Sequence, residues 1–497
     1  MHLSMSHSLA GSSSVSCRTV AVTIASAVWL VFNAASVRAL SSRTPPFFEG
    51  NAQRDLSTLR EWATKNGVRF AENVGFSNSG ETDGDQADWA ISLLDEDVTS
   101  TGSTLRKGAV VLSVPQDLVL SSSKVLDELG GISALQSAFD FLEEESFGDF
   151  KSEFLLVLKM LKELSKGGES KWCPWIQSLP KHFSTGISFD NAEIECLPTF
   201  SAVLVEYECL KLQAFGVATS KLDHKWIPDI ATSDGMVILK WAYNVVYSRC
   251  WKFSDYLEES DGGDSDIVPI GDLFNHKEPA NVAVENEPSS GSVDFVLQNS
   301  DTGTAVGANK INSLCLSYGT SNPHRFLVIF GFVDESMPEI FSQITFPNPT
   351  ADHIALGCED RSKMVYGTTD GCISNDTIRN SVLFALLVSK PEEQKAFVEA
   401  HRQQKQSVMR DFHSKYALET ALTLKNHVSA TLAELELLGN RIEEVKREDT
   451  QQRQHSNLPL IEKHNQFLRR VFGKVKKRLD AAVEEETLRR RTAFANQ

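Results

Sequence analysis

Residues 268–276 read Val-Pro-Ile-Gly-Asp-Leu-Phe-Asn-His and residues 314–319 read Leu-Cys-Leu-Ser-Tyr-Gly; the fold turns on these two stretches. The first is an apolar run closed by the pair Asn275-His276. The second is a strand-like run closed by Ser317-Tyr318-Gly319, with a helix-like segment behind it that ends in Gly331-Phe332-Val333. Taken singly, Asn-His is a common turn and a tyrosine at a strand end is a common core residue. Found together in this order, with a polar variable stretch between them, they form a candidate site.

Upstream, Trp89 to Leu94 and Gly108 to Pro115 have strand character, the second entered by a glycine turn and stopped by proline. Leu59 to Val68 reads as a short amphipathic helix closed by Gly67, and residues 77–88 as a polar loop. From about 122 to 245 the pattern turns helical. Phe154, Leu155, Leu158, Leu161 and Leu164 recur at helical spacing, Trp172 to Ile176 reads as an aromatic turn, and Trp241, Val245 and Arg249 share one helix. Glu258 to Asp266 is an acidic loop. Phe295 to Leu297 and Leu314 to Leu316 are short strand candidates. Beyond residue 350 helices dominate. Leu418, Leu422, Val428, Leu432 and Leu435 form one apolar stripe. A second runs through Leu460, Ile461, His464, Phe467, Leu468, Val471, Val475, Leu479 and Val483, as bundle helices require. His464 on this apolar face reads as a packed histidine. The basic runs Lys474 to Arg478 and Arg489 to Arg491 read as solvated faces, with a docking surface as the alternative.

The chain has 497 residues, 41% of them hydrophobic, with 28 Phe and 8 Trp, enough for two or three packed domains. Its 49 basic and 66 acidic residues leave a net charge of -17, which opposes binding to nucleic acid and suits a basic protein or peptide partner. Of the 8 Cys none forms CxxC, and no His pair has ligand spacing on a helix, so no metal site is expected and the thiols read as reduced and packed. The chain contains no P-loop, GxSxG, HExxH or dinucleotide GxGxxG motif.

Residues 1–45 read as a targeting presequence. Arg18 precedes the apolar run Thr19 to Ala35, Ser36 to Ala39 has the small residues of a cleavage site, and the Ser/Arg-bearing stretch that follows lacks acids. A signal peptide followed by a transit-like segment points to a plastid, with the secretory route and the cytoplasm as alternatives. The apolar run is marginal for a bilayer span, so no stable membrane association is expected once it is removed. The sequon Asn375-Asp376-Thr377 does not discriminate between compartments.

These pieces, in this order, resemble the SET-domain protein methyltransferases of the Rubisco large-subunit lysine methyltransferase type. The likeness is carried by Gly108 to Pro115, the Trp241 to Arg249 helix, Asp272 to His276, and Tyr318-Gly319 followed by Ser321-Asn322 and Gly331-Phe332-Val333. It implies an α+β fold with a β-rich, knotted SET core over residues 55–335. A helical insert at about 122–240 splits that core, and an all-α substrate-binding domain over 336–490 follows. It also implies S-adenosyl-L-methionine as cofactor, a lysine-bearing protein segment as substrate, no nucleic acid and a monomeric enzyme; some relatives methylate histidine instead.

Methyl transfer from a sulfonium is an in-line displacement by a neutral nucleophile, so the site must desolvate and align an amine. A tyrosine hydroxyl suits that task, and the resemblance makes Tyr318 the catalytic residue. It assigns Asn275, His276, Arg249 and Trp89 to the cofactor, with Arg249 facing the cofactor carboxylate. It assigns Asp272, Trp251, Phe330 and Phe332 to the substrate pocket. Read from the residues alone, Asp272 is equally a turn or cap residue. The chain departs from the family twice. Ala87-Asp88-Trp89-Ala90 stands where glycines let the backbone approach the cofactor, and Phe330 stands where many relatives carry Tyr. The first departure keeps open a second reading, an interaction module that has lost its cofactor.

Overall fold

The structure, a computed structural model, describes residues 56–78, 89–94, 105–252, 264–286, 291–298, 313–319, 323–336, 339–341, 350–357, 365–367, 370–373, 377–448 and 457–495. The presequence, most of the 77–88 and 258–266 loops, Ser321-Asn322 and the sequon residues Asn375-Asp376 lie outside them.

Short strands in small sheets make up the β-rich part. An antiparallel sheet joins β1 (Arg69–Phe70), β4 (Val110–Val114), β10 (Val293–Leu297) and β9 (Val282–Asn286), in the order β1-β4-β10-β9. β2 (Val74–Asn78) pairs with β3 (Trp89–Leu93), and β5 (Leu120–Ser121), β7 (Ser265–Ile267) and β6 (Trp251–Lys252) form a third sheet. None is long enough to be stable alone; each closes on its neighbours through buried side chains. Phe295 of β10 is the centre of that packing, stacked on Phe274 at 4.7 Å and meeting Trp251 edge-on at 5.8 Å. Gly271 lies under the same ring: a Cβ there would sit 2.2 Å from the Phe295 Cζ.

Between β5 and β6 the chain is helical, from Ser122–Glu128 to Ser233–Arg249. Lys151–Lys166 is buried almost all round, from Phe154 through Leu161, and packs against Ser233–Arg249. The expected aromatic turn is instead a short helix, Cys173–Ser178: Pro174 sits in its first turn, where the missing N–H has no intrahelical partner to lose.

The last two helices, Ala417–Glu448 and Leu458–Ala495, run antiparallel, as three ion pairs fix: Glu419 to Arg490 at 2.6 Å, Lys425 to Asp480 at 2.7 Å and Lys446 to Glu462 at 2.9 Å. The stripe predicted on the second helix is buried from Ile461 to Leu479. The stripe predicted on the first holds at Val428 and Leu435, with Leu432 packed against them, and fails at Leu422, which is 39% exposed; the seam is completed by Leu424, Ile442 and Val445. Two residues' difference turns a side chain about 200° around a helix, enough to move it from seam to solvent. This carboxyl-terminal core also takes in Phe189, Leu197 and Val205 from the insert and Leu327, Val328 and Val333 from the segment behind Tyr318.

Candidate active site

β8 (Asn275–His276) and β11 (Cys315–Leu316) lie side by side as a parallel ladder, Asn275 opposite Cys315 and His276 opposite Leu316. Asn281 locks the pair. Its side-chain oxygen accepts from the Cys315 N–H at 2.7 Å and its side-chain nitrogen donates to the Ser313 carbonyl at 3.1 Å. The ladder brings the two sequence motifs together. The Tyr318 N–H donates to His276 Nδ1 at 3.0 Å, and the Tyr318 hydroxyl donates to the Phe274 carbonyl at 2.7 Å.

Those bonds fix the histidine. Nδ1 is an acceptor, so the neutral ring carries its proton on Nε2, which faces Asp334 Oδ2 at 3.3 Å without hydrogen-bond alignment. Burial pushes the imidazole below the usual histidine range, and the Asp334 charge pulls in the opposite direction. The ring is then kept neutral and able to hold Tyr318.

Aromatic rings enclose the tyrosine. Tyr318 lies 5.2 Å from Phe330 and 6.3 Å from Phe332, His276 stacks on Phe326 at 4.7 Å, and Phe326 meets Phe332 at 5.1 Å. Phe326–Phe330 is a single π-helical turn, an element that recurs at functional sites. It ends at Gly331, in the left-handed region at φ 75°, where a Cβ would sit 2.8 Å from the Ser184 carbonyl oxygen. Only glycine makes this turn, and the turn sets Phe330 and Phe332 around Tyr318.

Arg249 and Asp272, which the resemblance assigns to different ligands, pair with each other: Arg249 Nη1 donates to Asp272 Oδ2 at 2.8 Å and to its carbonyl at 3.0 Å, while Arg249 Nε is buried with no acceptor among the described residues. The Asp272 side chain is 0% exposed, and its Oδ1 accepts from the indole of the buried Trp175 at 3.2 Å. Asp272 is thus the turn residue of its alternative reading, clamped from two sides, and not a carboxylate open to a pocket. Just before it, Ile270 stands fully buried at φ 75°, a conformation that costs a β-branched residue strain and that persists only where packing enforces it. Trp251 packs on Phe295, whose stacking partner Phe274 supplies the carbonyl that Tyr318 binds. It stands behind the tyrosine's anchor, outside the ring of His276, Phe330 and Phe332.

Trp89 lies on β3, which touches the second motif through the Leu314 N–H donated to the Ile91 carbonyl at 3.1 Å. Its indole N–H is buried with no acceptor among the described residues. An orphan donor costs free energy unless something accepts from it, so its position fits a ligand bearing an oxygen or carboxylate. Trp175, Asn281, Phe326 and Asp334 escaped the sequence reading. Phe326 was signalled by its helical spacing from Phe330; the other three carry no local signal.

This arrangement is that of a SET domain. The chain superposes over 87% of its length on the SET domain of LSMT bound to lysine and AdoHcy, covering 92% of that chain, with a TM-score of 0.57 and 14% identity. Rubisco LSMT bound to AdoMet gives 0.54 at 16% identity, and Rubisco LSMT bound to sinefungin and monomethyllysine gives 0.55 at 14%, each over 87% of this chain and 92% of that one. The architecture is therefore that of Rubisco LSMT: a SET core with a helical carboxyl-terminal region. No family model matches the chain. In sequence it is similar to the actin-histidine N-methyltransferase of Drosophila melanogaster, 24% identical over 276 residues, a match that takes in 51% of this chain and 44% of that protein.

Proposed function

We propose that the protein is an S-adenosylmethionine-dependent protein N-methyltransferase acting on a lysine side chain, with Tyr318 as its catalytic residue. The observation that carries the reading is the Tyr318 hydroxyl, whose proton is committed to the Phe274 carbonyl at 2.7 Å beside Asn275-His276. With that proton committed, the oxygen meets a substrate amine as an acceptor. It orients the N–H and leaves the nitrogen lone pair to point along the line of attack. The rings of Phe330, Phe332 and His276 exclude water and disfavour the ammonium form, which has no lone pair to donate. The cofactor, when bound, supplies an electrophilic methyl on a sulfonium. Asn275, His276 and the orphan indole N–H of Trp89 are the groups offered to it, and Arg249 acts through Asp272 by holding the turn that precedes Asn275.

Support for a lysine target comes from the fold's solved relatives, described as bound to lysine and to monomethyllysine. The name of the Drosophila melanogaster relative favours histidine as the second reading. The helical carboxyl-terminal region is proposed to grip the protein substrate. The test is incubation of the full recombinant chain with labelled S-adenosylmethionine and a lysate, followed by mass spectrometry of the labelled residue. Label on lysine supports the proposal, and label on histidine selects the second reading. No labelling, together with no heat of cofactor binding, would leave an interaction module.

A further inference from the structure

The helix Leu458–Ala495 carries a feature that the site does not use. From Lys463 to Arg478 it holds seven basic residues and no acid, inside a chain of net charge -17. Gln466, Arg469, Arg470, Gly473, Lys474 and Lys477 fall on one face and line a shallow groove of about 610 Å³. We infer that this groove docks an acidic segment of the protein substrate and presents the neighbouring part of that substrate to the Tyr318 site. The inference rests on the reading above that the substrate is a protein.

Four observations carry it. First, two cations of this helix, one lining the groove and one beside it, already hold carboxylates from earlier segments: Arg470 binds Glu335 at 2.5 Å and Arg478 binds Asp370 at 2.9 Å. Second, Lys463, Arg469 and Lys477 are exposed and have no carboxylate partner among the described residues, so charge remains for an incoming acid. Third, Gly473 lies on the floor of the groove, where a Cβ would meet nothing within 4 Å. Glycine in a helix interior costs stability relative to alanine, and no neighbour here demands it. What it provides is an open floor on which another chain can lie close to the helix backbone. Fourth, the groove adjoins the site: Glu335, held by Arg470, follows Asp334, which stands 3.3 Å from His276 Nε2.

The dimensions suit a short peptide. Lys463 to Lys477 spans about 21 Å along the helix, the length of roughly six extended residues. A nucleic acid is disfavoured because the described groove offers its bases no stacking platform: Phe467 and Phe472 on this helix are turned into the core.

The experiment is fluorescence anisotropy of a labelled hexaglutamate peptide titrated with the full chain at low and moderate salt. Saturable binding that weakens with salt is expected. Arg469→Glu combined with Lys477→Glu should weaken it by about ten-fold or more. Gly473→Leu should also weaken it while raising the thermal midpoint, a combination that a purely structural role for the glycine does not give. Both variants should bind S-adenosylmethionine as the parent does. No binding by the parent, unchanged binding by the variants, or tighter binding of an RNA hexamer would each overturn the inference. Peptide binding without any methyl transfer would sink the proposed function and leave the groove standing, so the two can fail separately.

Discussion

Acidifying the protein from pH 7.5 to 5.5 should remove on the order of 2 kcal/mol of stability through two buried histidines alone. His324 follows the Tyr318 motif, and His464 lies on the final helix. They meet at Ser201 of the insert: the serine oxygen is 2.7 Å from His324 Nδ1 and 3.4 Å from His464 Nε2, and the two ring nitrogens are 3.3 Å apart. The contact closes with both rings neutral, the serine donating to His324 Nδ1 and His464 Nε2–H donating to the serine oxygen. A further proton would set two donors against each other. His464 is 0% exposed and His324 4%; burial lowers His324 to about 3 and holds His464 well below its usual range. The ring facing them from the remaining side is that of Phe200, 4.9 Å from His324 and uncharged. In the unfolded chain both titrate near pH 6.5. Their contribution is therefore complete above that value and lost as the pH falls below it, for His324 down to about 3. Each histidine contributes on the order of 1 kcal/mol over the stated interval, since the unfolded state takes up a proton that the folded state refuses. The assay is urea unfolding at both pH values for the parent and for His324→Asn with His464→Gln, whose amides keep a polar atom near Nδ1 and Nε2 but do not titrate. The parent should lose on the order of 2 kcal/mol more than the variant, and each single substitution should remove part of the difference. Equal losses in parent and double variant would refute the argument.

Tyr318→Phe should abolish most methyl transfer while costing only about 1 kcal/mol of stability, since one hydrogen bond to the Phe274 carbonyl is lost; near-normal turnover would remove Tyr318 from the mechanism. Asp272→Asn leaves the largely buried Arg249 guanidinium without its counter-charge and should cost about 3 kcal/mol in urea unfolding, whereas a residue lining an open pocket would cost little. Gly271→Ala places a methyl 2.2 Å from Phe295 Cζ and should cost roughly 1–3 kcal/mol by thermal unfolding, with cofactor affinity falling because the turn before Asn275 shifts.

What could be read in advance was local or periodic. The strands at Trp89–Leu93 and Val110–Val114, the Ser233–Arg249 helix and the seam from Ile461 to Leu479 each announce themselves by apolar spacing and by the glycines and prolines that bound them. The meeting of Tyr318 with Asn275-His276 was legible only through a resemblance, because a parallel pairing of two-residue strands has no signature of its own length. Leu422 shows how periodicity fails: several leucines near one helical phase admit two seams, and packing against the partner helix chooses between them.

Polar partnership was the part hidden from the sequence, and the reason is general to cores assembled from distant segments. Arg249 and Asp272 were assigned by resemblance, with Arg249's charge as support, and a charge is satisfied equally by a ligand or by an opposite charge within the protein. What decides is whether burial leaves either group a route to anything else. With Asp272 0% exposed and the Trp175 indole on its second oxygen, the carboxylate is closed and holds the backbone that leads into Asn275, while the Arg249 Nε keeps a donor without an acceptor among the described residues. The same holds for Ser201, which lies 263 residues from the His464 it meets. These contacts tie the helical insert and the segment behind Tyr318 to the final helix, whose basic face is the docking surface inferred above. On that inference, a substitution at His324 or His464 that keeps the fold should alter the binding of an acidic peptide before it alters methyl transfer.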